Sequence, residues 1–598
     1  MDARRIDFRR ISDEISVAPQ ITAEDVAEAA EAGFRAIICN RPDGEGADQP
    51  TFEEIEAAAE RHGLRAVYLP VVTGKVTDEA ATAFGAALTT LPGPVLAYCR
   101  SGTRSATLWS LAQADSRPLP DILAATKAAG YDMNGVARRI ANGGRTPTDE
   151  ADARFDVVIV GGGAAGIATA ASLKARKPGL SVAILDPADI HYYQPGWTMV
   201  GAGVFEPDTT ARTMGALIPR GVHWIKSAVA AFEPQNDAVV LDGCRVVKYG
   251  RLIVCPGLKL DWHKVDGLVQ TLGKNGVTSN YRYDLAPYTW ELVKGMQSGR
   301  ALFTQPPMPI KCAGAPQKAM YLSGDHWHRT GRLRNIDIQF MNAGGVLFGV
   351  KDYVPALMKY VAKYGADLNF FHDLKAIDGR AKTAWFEVKA PNEEPHTVET
   401  PFDMIHVVPP QTAPDFIRVS PLADAAGWVD VDQTTLRHKT YQNIWALGDV
   451  TNAPNAKTAA AARVQAPIVA ENVVADIRGR SPVAAYNGYG SCPLTVERGR
   501  IVLAEFGYGG TLLPSFPQWL LDGTKPSRLA WILKEQILPP VYWKAMLKGR
   551  EWMIKPEKVT PRAFAPDPEP APAPAPPAAA EAPRETRPDS RKTTEPAE

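Results

Sequence analysis

The sequence predicts an α/β protein built as two successive parallel-sheet regions, and three observations carry that reading. Helix and strand patterns alternate over the first 145 residues, a second alternating region opens at "FDVVIVGGGAAGIATAASL", and the polar stretch "RTPTDEADA" lies between them. In the first region "TAEDVAEAAEAGF", "TFEEIEAAAERHG" and "TDEAATAFGAALTTLPG" have helical apolar spacing. They are followed by the strand-like runs "RAIICNRPD", "LRAVYLPVV" and "PVLAYC". The 598 residues are 45% apolar and 22% charged, too many for one core and typical of a soluble multidomain chain. Lys plus Arg equals Asp plus Glu at 66 each, so no global charge favours nucleic acid. Six cysteines, at 39, 99, 244, 255, 312 and 492, are too sparse for a disulfide scaffold or a zinc site, and no metal is expected. The N-terminus lacks an apolar signal region and no run of about 18 apolar residues occurs, so a cytoplasmic location with surface contact at most with a membrane is expected.

Val157 to Val160 forms an apolar strand before Gly161, Gly163 and Gly166, which stand in G-x-G-x-x-G spacing around Ala164 and Ala165 and lead into an Ala-rich helix. Such glycines let backbone N–H groups approach a pyrophosphate at a helix start. Twenty residues past Gly166, the strand "SVAILD" ends in Asp186, placed to accept from a ribose hydroxyl. "NIWALGDVTN", with Gly448 and Asp449, resembles the second flavin motif of two-dinucleotide-domain flavoproteins, which implies FAD with Asp449 on the ribityl chain. "LIVCPG", ending at Gly257, resembles the middle motif of the same superfamily, with Cys255 as a small buried hydrophobe. Lys457 and Thr458 open the next helix, where a lysine and a helix N-terminus would stabilise an anionic reduced flavin. No second glycine fingerprint follows "IDIQFMN", which points away from NAD(P)H.

"HYYQPGWTMVGAGV", "PIKCAGAPQKAMYLS", "FGVKDY", "HVVPPQTAPDFIRVSPLADAAGWVDVD" and "GYGSCPL" together resemble the sulfide:quinone oxidoreductases of the two-cysteine branch. The resemblance implies oxidation of sulfide to sulfane sulfur at Cys312 and Cys492, with electrons passing through FAD to a membrane quinone. It further implies that Cys492 carries the persulfide while Cys312 faces the flavin, and a small thiol or sulfite would take the sulfur. Lys311 is a candidate for lowering a thiolate pKa, and Phe348 and Val350 are candidate pocket residues, with core packing equally able to explain them. In "SRLAWILKEQILPPVYWKAMLKGREWMIK" apolar and basic residues recur at helical spacing on both sides of Pro539-Pro540, a broken amphipathic pair suited to the inner membrane face or to packing on the protein. Another quinone-linked FAD enzyme is the alternative.

In the first region an apolar strand delivers Cys99 into "RSGTR" before a helix, a setting that favours an anion and a thiolate. A tyrosine phosphatase loop, C-x5-R, would need arginine at 105, where Ser stands; Arg104 instead gives the rhodanese-type C-R-x-G-x-R pattern. The surroundings resemble the phosphatase-like, beta-lactamase-hydrolase-like sulfurtransferases, so Cys99 and Arg104 are candidates for receiving sulfur. A cysteine-dependent phosphatase, with Asp43 as general acid, or a regulatory module stays open. The domain boundaries expected are 1–145 for this domain, 146–153 for the linker, 154–267 and 401–490 for the two parts of the FAD domain, and 268–400 for a second Rossmann-like domain. Residues 491–563 would hold the second redox cysteine and membrane-facing region, and 564–598 a disordered Pro/Ala-rich tail.

Overall fold

A computed structural model describes residues 6–46, 49–146, 153–242, 245–554 and 556–559. The interior of the expected linker, residues 147–152, the tail 564–598 and Cys244 lie outside the described residues. Thr146 donates through its N–H and hydroxyl to Asp78, and a strand begins at Ala153.

The first domain is a five-stranded sheet in the order Arg9–Arg10, Ile15–Ala18, Val95–Tyr98, Ala36–Cys39, Arg65–Tyr68. The last four run parallel, and the two-residue edge strand is antiparallel. Three of the parallel strands are buried along their length, as expected where helices cover both faces. Thr22 with Asp25, and Thr51 with Glu54, form capping boxes that start helices Ala23–Glu31 and Phe52–Arg61. Helices Leu119–Ala128 and Ala137–Ala141 complete the domain and meet the next one. Ala230, Ala231, Val240 and Val419 join the cluster containing Tyr131, Met133 and Ile140. Lys127 Nζ donates to the Arg418 carbonyl (3.1 Å) and the Asn134 amide to that of Val419 (3.2 Å).

The second domain centres on a seven-stranded sheet in which Ala153–Val160 lies between Val182–Leu185 and Val246–Val254, all parallel. Ile444–Ala446 returns from far along the chain to pair with the end of Val246–Val254. A separate parallel sheet holds Val277–Thr278, Met404–His406, Gly299–Gln305, Ile336–Asn342 and Asp367–Phe370, so it takes one strand from beyond residue 400. Phe348 and Val350 sit in the core of this part and are not among the residues lining the cavity described below. The hairpin Gly490–Glu497/Arg500–Phe506 buries Cys492, Leu494 and Val496 with Ala319 and Met320 of helix Ala315–Arg329.

The C-terminal segment is a single bent helical run rather than a pair broken at the prolines. Arg528–Ile532 passes through a π-helical turn, Leu533–Ile537, into Leu538–Lys544. Pro539 and Pro540 occupy the first turn of the last piece, where a missing N–H is tolerated, and the wider turn before them absorbs the ring clash. Trp531, Tyr542, Met546 and Leu547 pack inward, whereas Leu529, Ile532 and Ile537 stay exposed. Among the described residues no helix is long and apolar enough to cross a membrane.

Candidate active site

Between the second domain, the middle sheet and the C-terminal helices lies a cavity of about 460 Å³. One end is the glycine turn. Gly161 has φ +105°, and a Cβ there would fall 2.5 Å from the Cys255 carbonyl oxygen. A Cβ on Gly166 would meet the Gly161 carbonyl at 1.9 Å, so helix Ala164–Arg176 can seat against the strand only without it. Gly163, before Ala164 and Ala165, and Gly257 face open space, with nothing within 4 Å of a Cβ, and both line the cavity. Asp186 accepts from Gly162 N–H (2.6 Å) and Ala188 N–H (2.8 Å), which fixes its carboxylate at the cavity wall. Cys255 is buried against Gly161, and burial pushes its thiol up, as suits an inert packing residue.

Further along, Gly448 (φ +78°) turns the chain so that Asp449 lines the cavity. Burial raises the Asp449 carboxyl, with Lys457 and Lys311 opposing. The Lys457 ammonium donates to the carbonyls of Asp449 and Thr451, each at 2.8 Å, and stands 4.2 Å from the Trp428 ring centroid. Its head is thus used to brace the loop, and burial lowers it to about 8. Thr458 caps helix Ala459–Ile477 through Ala461 N–H. Open glycines, a helix start, an anchored acid at the second strand and a second acid at the far loop make a donor set that fits a flavin dinucleotide.

The two cysteines meet beside this end. Cys312 Sγ and Cys492 Sγ are 3.6 Å apart, although 180 residues separate them. Cys312 has φ +49°, a left-handed conformation costing about 1–2 kcal/mol outside glycine. Its N–H donates to the Lys457 carbonyl (2.8 Å), Lys311 N–H to Gln411 Oε1 (2.8 Å), and Tyr281 hydroxyl to the Lys311 carbonyl (3.0 Å), which together hold the turn. Gly314 is required next to it, since a Cβ would lie 2.5 Å from Cys492 Sγ.

The cation on the sulfur is Lys318, six residues onward in the first turn of helix Ala315–Arg329 and buried, with Nζ 3.1 Å from Cys312 Sγ. Lys311, the neighbour in sequence, instead donates to Gln194 Oε1 (2.6 Å), and burial pulls it down to about 8. The S–H of Cys492 holds the Cys312 thiol well below the ordinary range, with burial opposing and Lys318 reinforcing; Cys492 goes the other way because it keeps the shared proton. A third lysine arrives from the C-terminal helix. Lys534 is 2% exposed, donates to the Pro195 carbonyl (2.8 Å) and is lowered by burial and Lys318 to about 7. Helical spacing marked Lys534 only as one of the basic residues of the C-terminal stretch; its burial had no sequence signal. His191 bridges the Gly162 carbonyl (3.2 Å) and the Tyr542 hydroxyl (2.6 Å), linking the glycine turn to the same helix.

Replacing Lys318 with Met leaves the Cys312 thiolate without its ammonium. The expected result is an alkaline shift of about one to two pH units in the onset of thiolate formation, and roughly a 10- to 100-fold lower rate near neutrality. Iodoacetamide alkylation of Cys312 against pH, alongside sulfide turnover, checks both; an unmoved onset would show that Cys492 alone sets the thiolate.

The first domain holds its own cysteine. Cys99 is fully buried at the end of strand Val95–Tyr98, and Gly102 N–H donates to its sulfur (3.2 Å). Gly102 (φ +86°) starts helix Thr103–Ala112, with Tyr131 packed so closely that a Cβ would lie 2.0 Å from its hydroxyl. Arg104 is buried and grips Glu45 with both terminal nitrogens (3.0 and 2.7 Å) while also donating to the Val71 carbonyl. Asp43 accepts from Phe52 N–H (2.9 Å), a turn-fixing role. Among the described residues no His, Cys, Asp and Glu cluster could hold a metal ion.

Two families match the chain along its length. Residues 7–116 match the phosphatase-like domain of beta-lactamase hydrolase-like proteins, and residues 155–288 match the pyridine nucleotide-disulphide oxidoreductases. Over 395 residues the chain is 39% identical to the mitochondrial sulfide:quinone oxidoreductase of Mus musculus, spanning 66% of this chain and 87% of that protein. The chain belongs to the sulfide:quinone oxidoreductase family. The mitochondrial sulfide:quinone oxidoreductase of Dictyostelium discoideum is 42% identical over 66% of this chain and 86% of its own. The crystal structure of sulfide:quinone oxidoreductase from Aquifex aeolicus shares the fold, with a TM-score of 0.57 at 19% identity over 67% of this chain and 97% of that one. This oxidoreductase is an FAD enzyme, and it carries a phosphatase-like domain at its N-terminal side.

Proposed function

We propose that Cys312 and Cys492 oxidise sulfide to sulfane sulfur, that the electrons reach a membrane quinone through FAD, and that the Cys99 domain receives the sulfur. The observation that carries the reading is the 3.6 Å approach of two sulfurs from distant segments, with Lys318 on one of them. Hydrosulfide attacks the Cys492 sulfur of the Cys312–Cys492 disulfide; in a sulfur-bridged unit it attacks the bridging sulfur, and the chain left on Cys492 is one sulfur longer. The bond to Cys312 breaks, Cys492 keeps the incoming sulfur as a persulfide, and Cys312 leaves as a thiolate neutralised by Lys318. A small thiol or sulfite then takes the outer sulfur, and rejoining the two cysteines releases two electrons. FAD supplies the two-electron carrier between that step and quinone. Tyr281, Gln411 and the Lys457 carbonyl keep Cys312 in place while Lys534 adds positive charge that falls away as pH rises past about 7.

Exposed Trp519 (85%), Leu520, Leu529, Ile532 and Ile537 support peripheral attachment to a membrane, at its inner face if the protein is cytoplasmic. The C-x4-R loop and the physical fusion support the sulfur relay, since tethering raises the effective concentration of one cysteine near the other's product. Anaerobic sulfide added to the purified protein should bleach the flavin; an unaltered spectrum sinks the reading. Cys99→Ser should leave that bleaching intact while abolishing persulfide on the first domain, detected by alkylation and mass spectrometry. If persulfide transfer and turnover are unchanged with every acceptor tested, the relay is wrong.

A further inference from the structure

The cavity also holds a cation that the sulfide chemistry leaves unused. Arg463 lies on helix Ala459–Ile477, just over one turn beyond Thr458, and its side chain lines the cavity. The guanidinium donates to the Trp552 carbonyl, and among the described residues no carboxylate pairs with it. The nearby Glu505 is already saturated: it accepts from Tyr489 hydroxyl (2.6 Å), Ser515 hydroxyl (2.5 Å) and Ser515 N–H (3.1 Å). Only burial and Tyr489 act on the Arg463 charge. A half-buried guanidinium with no counter-ion carries a desolvation cost that an electron-rich ligand would offset.

The lining of the same cavity constrains that ligand. Leu538 and Val541 are apolar, and Trp552 and Met553 both line the cavity and stay 54% and 53% exposed, so the cavity opens to solvent through an apolar rim. One donor fork beside a saturated Tyr489–Glu505–Ser515 cluster and an apolar rim suits a neutral ring with a carbonyl and a long apolar tail; a phosphate calls for several convergent donors. We infer that Arg463 binds the quinone ring by donating to one carbonyl and stabilises the negative charge that develops on that oxygen. This rests on the quinone-reductase reading above. The quinone gains two electrons and two protons: a hydride equivalent from the reduced flavin brings both electrons and one proton, and solvent supplies the second. Arg463 stays protonated and holds charge.

The test uses the FAD-loaded full chain with Arg463→Gln and Arg463→Lys. Enzyme reduced anaerobically by sulfide, and separately by dithionite, is mixed with a soluble short-tailed ubiquinone analogue. Binding of a redox-inert quinone analogue to the oxidised enzyme is read from the flavin absorbance. The expected result is reoxidation slowed, or quinone KM raised, by roughly 10- to 100-fold in Arg463→Gln from either reductant, weaker analogue binding, and partial recovery in Arg463→Lys, with sulfide reduction unchanged. Unchanged reoxidation and analogue binding overturn the inference. So does a loss confined to FAD content, which makes Arg463 a cofactor ligand, or to binding of anionic phospholipid vesicles, which makes it a lipid contact. If sulfide fails to reduce the flavin but dithionite-reduced enzyme still shows Arg463-dependent quinone reduction, the sulfide reading falls and this one stands.

Discussion

Cys312→Ser should lose sulfide-dependent flavin reduction by at least roughly 10³-fold, because the variant removes both the partner sulfur and the thiolate that carries the electron pair. Cys492→Ser should lose it equally, by removing the sulfur that becomes the persulfide. The two should nevertheless be distinguishable before turnover. In Cys492→Ala, made for this comparison, the Cys312 thiol loses the S–H that holds it down, yet keeps Lys318 at 3.1 Å, so it should titrate between its wild-type position and the ordinary thiol range; Cys492→Ser, whose O–H still donates, should shift it less. In Cys312→Ser the Cys492 thiol loses the partner that raises it and should move down, though burial still opposes ionisation. Alkylation rate against pH on each variant reads both directions. Retention of sulfide bleaching in either variant would place the chemistry elsewhere.

The second large effect belongs to the glycine turn. Gly161→Ala puts a Cβ at φ +105° and 2.5 Å from the Cys255 carbonyl, where backbone rather than a flexible side chain must yield. Strain of about 1–3 kcal/mol, with the clash added, should displace the turn and lower FAD affinity by at least about tenfold, equivalent to about 1.4 kcal/mol. Gly163→Ala is the matched control. Its Cβ meets no protein atom within 4 Å, so the apoprotein should fold and melt as the wild type does, while FAD occupancy should fall because the methyl narrows the cavity at the glycine turn. Flavin absorbance per protein and thermal melting with and without added FAD separate the two variants. Equal loss of fold in both would mean that the turn serves packing alone.

Much of this was legible in order along the chain. The glycine spacing, the strand ending at Asp186 and the Gly448-Asp449 turn are local patterns, and local geometry forces them: a tight turn, a close backbone approach, a helix start. The membrane-facing segment was legible only in part. Periodicity identified Leu529, Trp531, Ile532 and Tyr542 as apolar helix positions but could not say which face water, lipid or protein. The structure divides them: Trp531 and Tyr542 pack inward, while Leu529 and Ile532 stay out. Phe348 and Val350 show the same limit, since hydrophobicity alone does not separate a pocket wall from a core.

By itself the sequence determined the α/β class, the flavin turns, the pairing of Cys312 with Cys492 by resemblance, and the one-residue difference that makes the Cys99 loop C-x4-R. Tertiary structure decided which cation serves which sulfur. Lys311 is adjacent to Cys312 in sequence yet points to Gln194, while Lys318, six residues on, reaches the sulfur from the first turn of helix Ala315–Arg329, and Lys534 arrives from a helix more than 200 residues away. The physical reason is that backbone turns are dictated by nearby residues, whereas the electrostatics of a buried site depend on whatever the fold carries to within a few ångströms.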